Sequence, residues 1–354
     1  RIVDDALQIC GGAGALAEAT VSREELLGLF AAFRQRRATE AAGATATPSE
    51  FLDALRSGQD ARIREMLPWQ LERGMTATFG EFERLLKSEA PADRAAYAGV
   101  ATALGMLGTQ RSLGLLTSLL SDERVAVRLS AVKARGRVRG QATGALIAAL
   151  DDTHFTVYLE ATHLLGQLGD PKAVPRLADK LANPGIGGLA LQQKAAQALG
   201  SIGALGPNGA SVTALMEATH APHDVLVRAS ARALGQLKYG ADASALTEAI
   251  SALKRLASDH PAISVRLEAI RSLVAISSMQ SAELGAFVRK ALRSERDWQV
   301  RETLVRALGR LWGTSAATAL TEIAEDVSED LGVRVAAIQT VIELGVASEL
   351  AWSV

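Results

Sequence analysis

Cysteine is almost absent from this chain of 354 residues, in which Cys10 stands alone. A single thiol excludes an internal disulfide framework and a cysteine-based metal cluster. A reducing, cytoplasmic setting is the expectation that goes with it. Aromatic residues make up only 4% of the chain, too few for cores built on large rings and suited to closely stacked helices of small and aliphatic residues. No apolar run reaches the roughly 18–20 residues that a membrane-spanning helix needs. The net charge is -1, which removes any global pull toward nucleic acid or an anionic membrane. Phosphate-loop Gly-Lys-Ser/Thr, His-Glu-x-x-His, Gly-x-Ser-x-Gly and paired-cysteine motifs are all missing. The resulting expectation is a non-enzymatic protein with no catalytic residue, cofactor or metal of its own.

What is present is repetition. The chain is too long for one ordinary core, which leaves several globular domains or a solenoid. An Ala/Leu-rich helix followed by a glycine, or its substitute, recurs at Gly105, Gly136, Gly166, Gly200, Gly235, Val274, Gly309 and Ile342, between 30 and 39 residues apart. Such drift marks helical-pair repeats whose loops vary. In each unit a first helix carries aliphatics at helical spacing, as in Leu246 to Leu256. A turn follows with an Asp (Asp122, Asp152, Asp224, Asp259, Asp297, Asp330), suited to the N-terminus of the next helix, where free amides and the helix dipole favour an acceptor. The second helix opens with Val127-Arg128, Val265-Arg266, Val300-Arg301 or Val333-Arg334. One unit departs, with Leu191-Gln192 after the glycine-rich turn 183–188, a place where a superhelix is expected to bend.

The turn Asp, the Val-Arg pair and the Ala-Leu-Gly-x-Leu-Gly ending, over residues 78–345, resemble HEAT repeats, particularly the short bacterial kind also found in phycobilin-lyase-like proteins. The resemblance implies an all-α fold, a right-handed α-solenoid of about eight helical pairs whose second helices line a concave face. It also implies that Arg128, Arg266, Arg301 and Arg334 bond turn aspartates in a structural ladder. The expected organisation is a helical N-terminal segment and linker over residues 1–47, a degenerate capping repeat over 48–77 and the solenoid over 78–354. Ser22 and Glu25 form a capping signature for a helix to about Arg37, and Pro68 is expected to break or kink a helix over 60–74. The run Asp5-Ala-Leu-Gln-Ile-Cys-Gly-Gly-Ala-Gly14 is similar to a short stretch of acyl-CoA dehydrogenases, but the rest of that domain does not follow. The chain opens on Arg1 and not Met, which leaves open whether it is a piece of a longer protein.

The functional hint lies on the second helices. Three residues before each anchor stand Lys133, His163, Gln197, Arg232, Arg271, Arg306 and Gln339. One turn later stand Arg137, Gln167, Ser201, Gln236, Ala275, Arg310 and Glu343, on the same helix face. The candidate partner-binding residues are therefore Lys133, Arg135, Arg137, Arg139, His163, Arg228, Arg232, Arg271, Arg306 and Arg310. Part of the stripe is expected to be neutralised locally, Arg271 by Glu268 and Arg306 by Glu302, with Glu160 beside His163. The histidines and aspartates of the turns, His220, His223, Asp224, Asp259 and His260, show no complete metal-ligand set. Trp298 and Trp312 flank one second helix, where packing or end-capping is the plainer expectation. Together these point to a scaffold or adaptor, a subunit of a larger assembly, that binds an acidic or phosphorylated segment of a protein partner. The alternative is a lyase- or chaperone-like protein acting on a cofactor-bearing protein. No nucleic acid is expected as a partner, because the charge is neutral and no catalytic acid stands out as it does in helical-repeat DNA glycosylases.

Overall fold

The computed structural model describes residues 47–72, 74–138, 142–203, 209–239, 243–276 and 281–345. The expectations for residues 1–46, Arg139 and Trp352 lie outside them. Among the described residues every regular element is helical, and none of these helices is long and apolar enough to cross a membrane. The chain divides into two compact units, with the boundary after Leu168.

Unit 1 contains α1 (Pro48–Ser57), α2 (Asp60–Glu72), α3 (Met75–Lys87), the short α4 (Pro91–Ala95), α5 (Tyr97–Leu107), α6 (Gln110–Leu119), α7 (Val125–Arg137), α8 (Thr143–Ala148) and α9 (Phe155–Leu168). The starts and stops follow from local chemistry. Thr47 and Glu50 form a capping box ahead of α1, Pro48 takes the first turn, and Gly58 ends the helix in the left-handed region at φ 62°. Gly108 ends α5 the same way, and the Thr109 hydroxyl then accepts from the Ser112 amide to start α6. α2 runs through Pro68 without ending there. Ile63, Met66, Leu67 and Leu71 are buried on one side of it, while the carbonyl that loses its donor belongs to exposed Arg64. Burial of the apolar face outweighs the missing bond. Rings are concentrated in these first helices: Phe82 packs on Phe51 and edge-on to Phe79, with centroids 6.4 and 6.3 Å apart.

Unit 2 contains α10 (Val174–Ala182), α11 (Gly188–Gly203), α12 (Gly209–Ala218), α13 (Asp224–Gln236), α14 (Ala243–Asp259), α15 (Ile263–Ala275), α16 (Ser281–Ser294), α17 (Trp298–Trp312), α18 (Ala317–Glu325) and α19 (Leu331–Glu343). They form pairs, and the second helices α11, α13, α15, α17 and α19 pack in sequence as one layer. In unit 1, α5, α7 and α9 do the same.

The Ala-Leu-Gly signature explains this layer. The anchor glycines lie inside the second helices, not after them. A leucine precedes six of the eight anchors, at Leu104, Leu165, Leu199, Leu234, Leu273 and Leu308; each is buried and contributes about 1.5–3 kcal/mol. The glycine meets the small residue two places before the next anchor. A Cβ on Gly105 would lie 2.6 Å from Ala134 Cβ, and one on Gly200 2.9 Å from Ala233 Cα. Gly235 stands in the same relation to Ser272, Gly309 to Thr340 and Gly136 to Leu164. One register thus repeats within each unit, and neighbouring second helices run side by side in the same direction.

A ladder at the helix starts reinforces it. Arg128 donates to both carboxylate oxygens of Asp152, in the following turn, at 2.7 and 2.9 Å, and to the carbonyls of Asp122 and Glu123 in its own turn. Arg266 does the same with Glu295 at 3.0 and 3.2 Å and with the carbonyls of His260 and Pro261. Arg301 pairs with Glu329, and Arg334 donates to the Ala324 carbonyl. Two of the acids differ from expectation. Asp297 and Asp330 are occupied as helix caps, accepting from the amides of Gln299, Val300 and Gly332, so the glutamate two residues or one residue earlier takes the arginine. At the rung position α9 has Tyr158, and α11 has Gln192, which donates to the Leu181 carbonyl.

Candidate protein-binding face

The nine described candidates differ, within each unit, in how available their charges are. In unit 1, Lys133 is exposed. Arg135 is buried among the helices, and burial pushes its guanidinium below its ordinary value. Arg137 is taken by Asp60 of α2 at 2.9 Å. The hydrogen bond from Arg137 holds the Asp60 carboxyl below the usual range against the opposing effect of burial, with a further bond from Thr102. His163 is exposed and its Nε2 bonds Gln167 at 2.9 Å, so Gln167 is its hydrogen-bond partner instead of Glu160. Arg139 lies outside the described residues.

In unit 2, Arg228 follows buried Val227 and is half-buried at the ladder position, not on a groove. The acid's place in the following turn is held by His260, whose Nδ1 accepts from the Ala262 amide and whose Nε2 lies 4.0 Å from Asp224. Adjacent repeats do bring these turn residues together, but no group of three potential metal ligands forms among the described residues. Arg232 makes a two-pronged pair with Glu268 at 2.8 and 2.7 Å. This overturns the expected Glu268–Arg271 pair. Glu268 is buried on the side of α15 that faces α13, so its carboxylate meets the neighbouring repeat and not its own helix's next turn.

Arg271 is consequently left exposed, with no ion-pair partner among the described residues. It joins Arg306 and Arg310 on a cleft of about 420 Å³ between α15 and α17. Arg306 is held by Glu302 at 3.0 Å, as expected, and also reaches Gln339 of α19 at 3.1 Å. Arg310 is exposed and, like Arg271, has no acid beside it among the described residues. Leu267, Ile270, Val274 and Ala307 give the cleft apolar lining, and Trp298 stands at its other end, 47% exposed. Three cations against one carboxylate make the cleft positive. The neighbouring helices do not extend that charge: α13 has Arg232 already paired and Gln236, and α19 has Gln339 and Glu343.

The sequence reading missed the exposed apolar residues at the starts of second helices in each unit. Phe155, Val225, Ile263, Trp298 and Leu331 are 57%, 39%, 37%, 47% and 71% exposed. Each stands two residues before the buried Val of its repeat. Two steps turn a helix through about 200°, so apolar residues at both places cannot face the same core. That spacing was the available signal.

The family model for HEAT repeats matches residues 115–186. No curated protein matches the chain in sequence. Solved structures similar to it include an engineered protein, 18% identical with a TM-score of 0.47 over 85% of this chain and 86% of that one. Another is the complex of CpcE and CpcF of phycocyanin lyase from Nostoc sp. PCC7120, 22% identical with a TM-score of 0.38 over 68% and 94%. A third is YibA of Escherichia coli, 18% identical with a TM-score of 0.45 over 74% and 92%. The matched stretch begins within α6 and ends in the turn before α11; it contains one glycine contact and one arginine rung, and both recur after it. Residues 115–186 match HEAT repeats, and the helical pairs continue beyond them in both units.

Proposed function

We propose that the protein is a non-enzymatic scaffold, a subunit of a larger assembly, that holds a protein partner on the second-helix face of unit 2. An acidic or phosphorylated segment of that partner sits at Arg271 and Arg310. The observation that carries this reading is the cleft between α15 and α17, which has two exposed arginines without acids toward one end and an exposed tryptophan at the other. Arginine and tryptophan in a partly desolvated pocket are the residues that concentrate binding energy at interfaces. Lys133, Arg137 and Arg232 are not part of this site. The test is affinity capture with the wild type beside Arg271→Glu/Arg310→Glu. A partner lost with the reversal, and bound more weakly as salt rises, supports the proposal, because exposed charges are screened within about 8–10 Å at ordinary ionic strength. A partner retained equally by the double variant refutes this location.

A further inference from the structure

We infer that the partner segment is an acidic amphipathic α-helix lying across the starts of α13, α15, α17 and α19, with apolar residues at every seventh position. This rests on the reading that the second-helix face of unit 2 binds protein. Single exposed apolar residues mean little, but Val225, Ile263, Trp298 and Leu331 recur at one register on successive second helices. Gly235 opposite Ser272 and Gly309 opposite Thr340 keep that register fixed between helices. These four residues therefore form a row crossing the layer, and on α19 the exposed Val335 and Ile342 continue it along the helix.

Spacing selects the occupant. Packed helices lie roughly 8–10 Å apart, and seven residues of α-helix advance about 10.5 Å. A ligand helix laid along the row returns the same face to each successive anchor once per heptad. An extended strand advances about 3.3 Å per residue and alternates faces, so the three residues that span one step present opposite sides to neighbouring anchors. A polyproline helix matches the step but leaves its amides and carbonyls without internal bonds, over a row of side chains that satisfies almost none of them. An α-helix satisfies its own.

Charge sets the orientation. Arg271 follows Ile263 by eight residues and Arg306 follows Trp298 by eight, about 12 Å along each helix axis. The flank of a helix centred on the row lies about 5–6 Å out, half its diameter with side chains, and the side chain of Arg271 must reach back across the remainder. A helix whose apolar face lies on the row thus turns one flank toward Arg271, while Arg310, twelve residues after Trp298 and about 18 Å along α17, adds positive charge one turn further on. Acids belong on that flank opposite α15 and α17, and not opposite Glu343 of α19.

The experiment is fluorescence anisotropy with labelled synthetic helices of about three heptads, added to the full chain. One probe has Leu at every seventh position and Glu along one flank. A second has the same composition with the Leu spacing changed, and a third is an acidic peptide kept extended by prolines. The expected result is that the first binds at least about tenfold tighter than the other two. Trp298→Ala and Arg271→Glu/Arg310→Glu should each weaken it by a similar factor, with circular dichroism unchanged. If the misspaced or extended acidic peptide binds as well, still through Arg271 and Arg310, the helical inference falls and the scaffold reading stands. Loss of all dependence on the two arginines, or no binding of any acidic probe, overturns both.

Discussion

Unit 1 and unit 2 share a repeat, a glycine contact and an arginine ladder, yet they use their basic second helices in opposite ways. In unit 1 the run Lys133 to Arg137 looks in sequence like the strongest positive patch of the chain. Folding buries Arg135 and spends Arg137 on Asp60. In unit 2 the cations are sparser and interleaved with Glu268 and Glu302, but Arg232 draws Glu268 away and leaves Arg271 open. Charge density along a helix is therefore a poor guide to available charge. What decides is whether a neighbouring element brings an acid within reach.

The largest expected effects concern the shared packing, where the two units should behave alike. A Cβ on Gly99 of α5 would lie 2.2 Å from the Leu55 carbonyl oxygen of α1. Backbone cannot give way there, so Gly99→Ala should destabilise by about 3 kcal/mol, at the upper end for overpacking. Gly235→Ala, against Ser272, should cost about 1–3 kcal/mol. Gly136→Ala meets only the flexible tip of Leu164 and should fall within about 1 kcal/mol of neutral, since alanine is the better helix former. Urea denaturation of the three variants ranks them. A costly Gly136→Ala would show that unit 1 is packed more rigidly than unit 2.

Next come the arginines, where the comparison should split. Arg128→Ala leaves the enclosed Asp152 carboxylate without its counter-ion, at a cost of about 3 kcal/mol. Arg232→Ala removes two charge-assisted bonds from buried Glu268, at about 1.5–3 kcal/mol. Arg271→Ala should change stability by less than about 0.5 kcal/mol. Equal losses for Arg232 and Arg271 in denaturant titrations would contradict the division of unit 2 into paired and free cations.

Acid should act on unit 1 in a defined direction. Asp60 and Asp122 are held below the usual carboxylate range by hydrogen bonds from Arg137 and Arg124. For Asp152 burial pushes upward, but its bonds to Arg128 and the His154 amide outweigh that and leave it lowered. A folded value below the unfolded one, about 3.9 for Asp, means stability that is complete above the unfolded value. It is lost as pH falls through the folded value. Hydrogen exchange of the whole chain between about pH 5 and pH 3 should show α2, α5 and α7 losing protection on acidification, and Asp152→Asn should flatten that response. The smallest effect is at the exposed Glu302–Arg306 pair, where Glu302→Gln should cost about 0.3–0.5 kcal/mol, measured in the same denaturant series.

Much of the fold was legible because its determinants are local and recur. Ala-Leu-Gly encodes a contact, a core side chain and a second contact within one turn, and Val-Arg marks each helix start. The site was less legible because its determinants cross repeats. The acid that takes Arg137 is 77 residues away in sequence. The turn before α17 carries two acids and the turn before α19 three, and only the capping geometry reveals that Asp297 and Asp330 are occupied, leaving Glu295 and Glu329 for the ladder. Trp298 read as packing because its exposure follows from the phase of the helix against Val300, which residue type alone does not give.

The ladder also bears on how such a chain changes length. Arg266 belongs to one repeat by covalent connection and to the next through Glu295, and Arg301 repeats the relation with Glu329. Excising one whole period, from the turn holding Glu295 to the turn holding Glu329, would strand neither an arginine nor an acid: Arg266 would find Glu329 where Glu295 had stood. Inserting a copied period closes in the same way. Among α15 to α19, gain or loss of a whole period thus leaves no rung half-made, whereas removing α17 alone would leave Glu329 without its arginine. The molecule is edited most cheaply in steps of one helical pair.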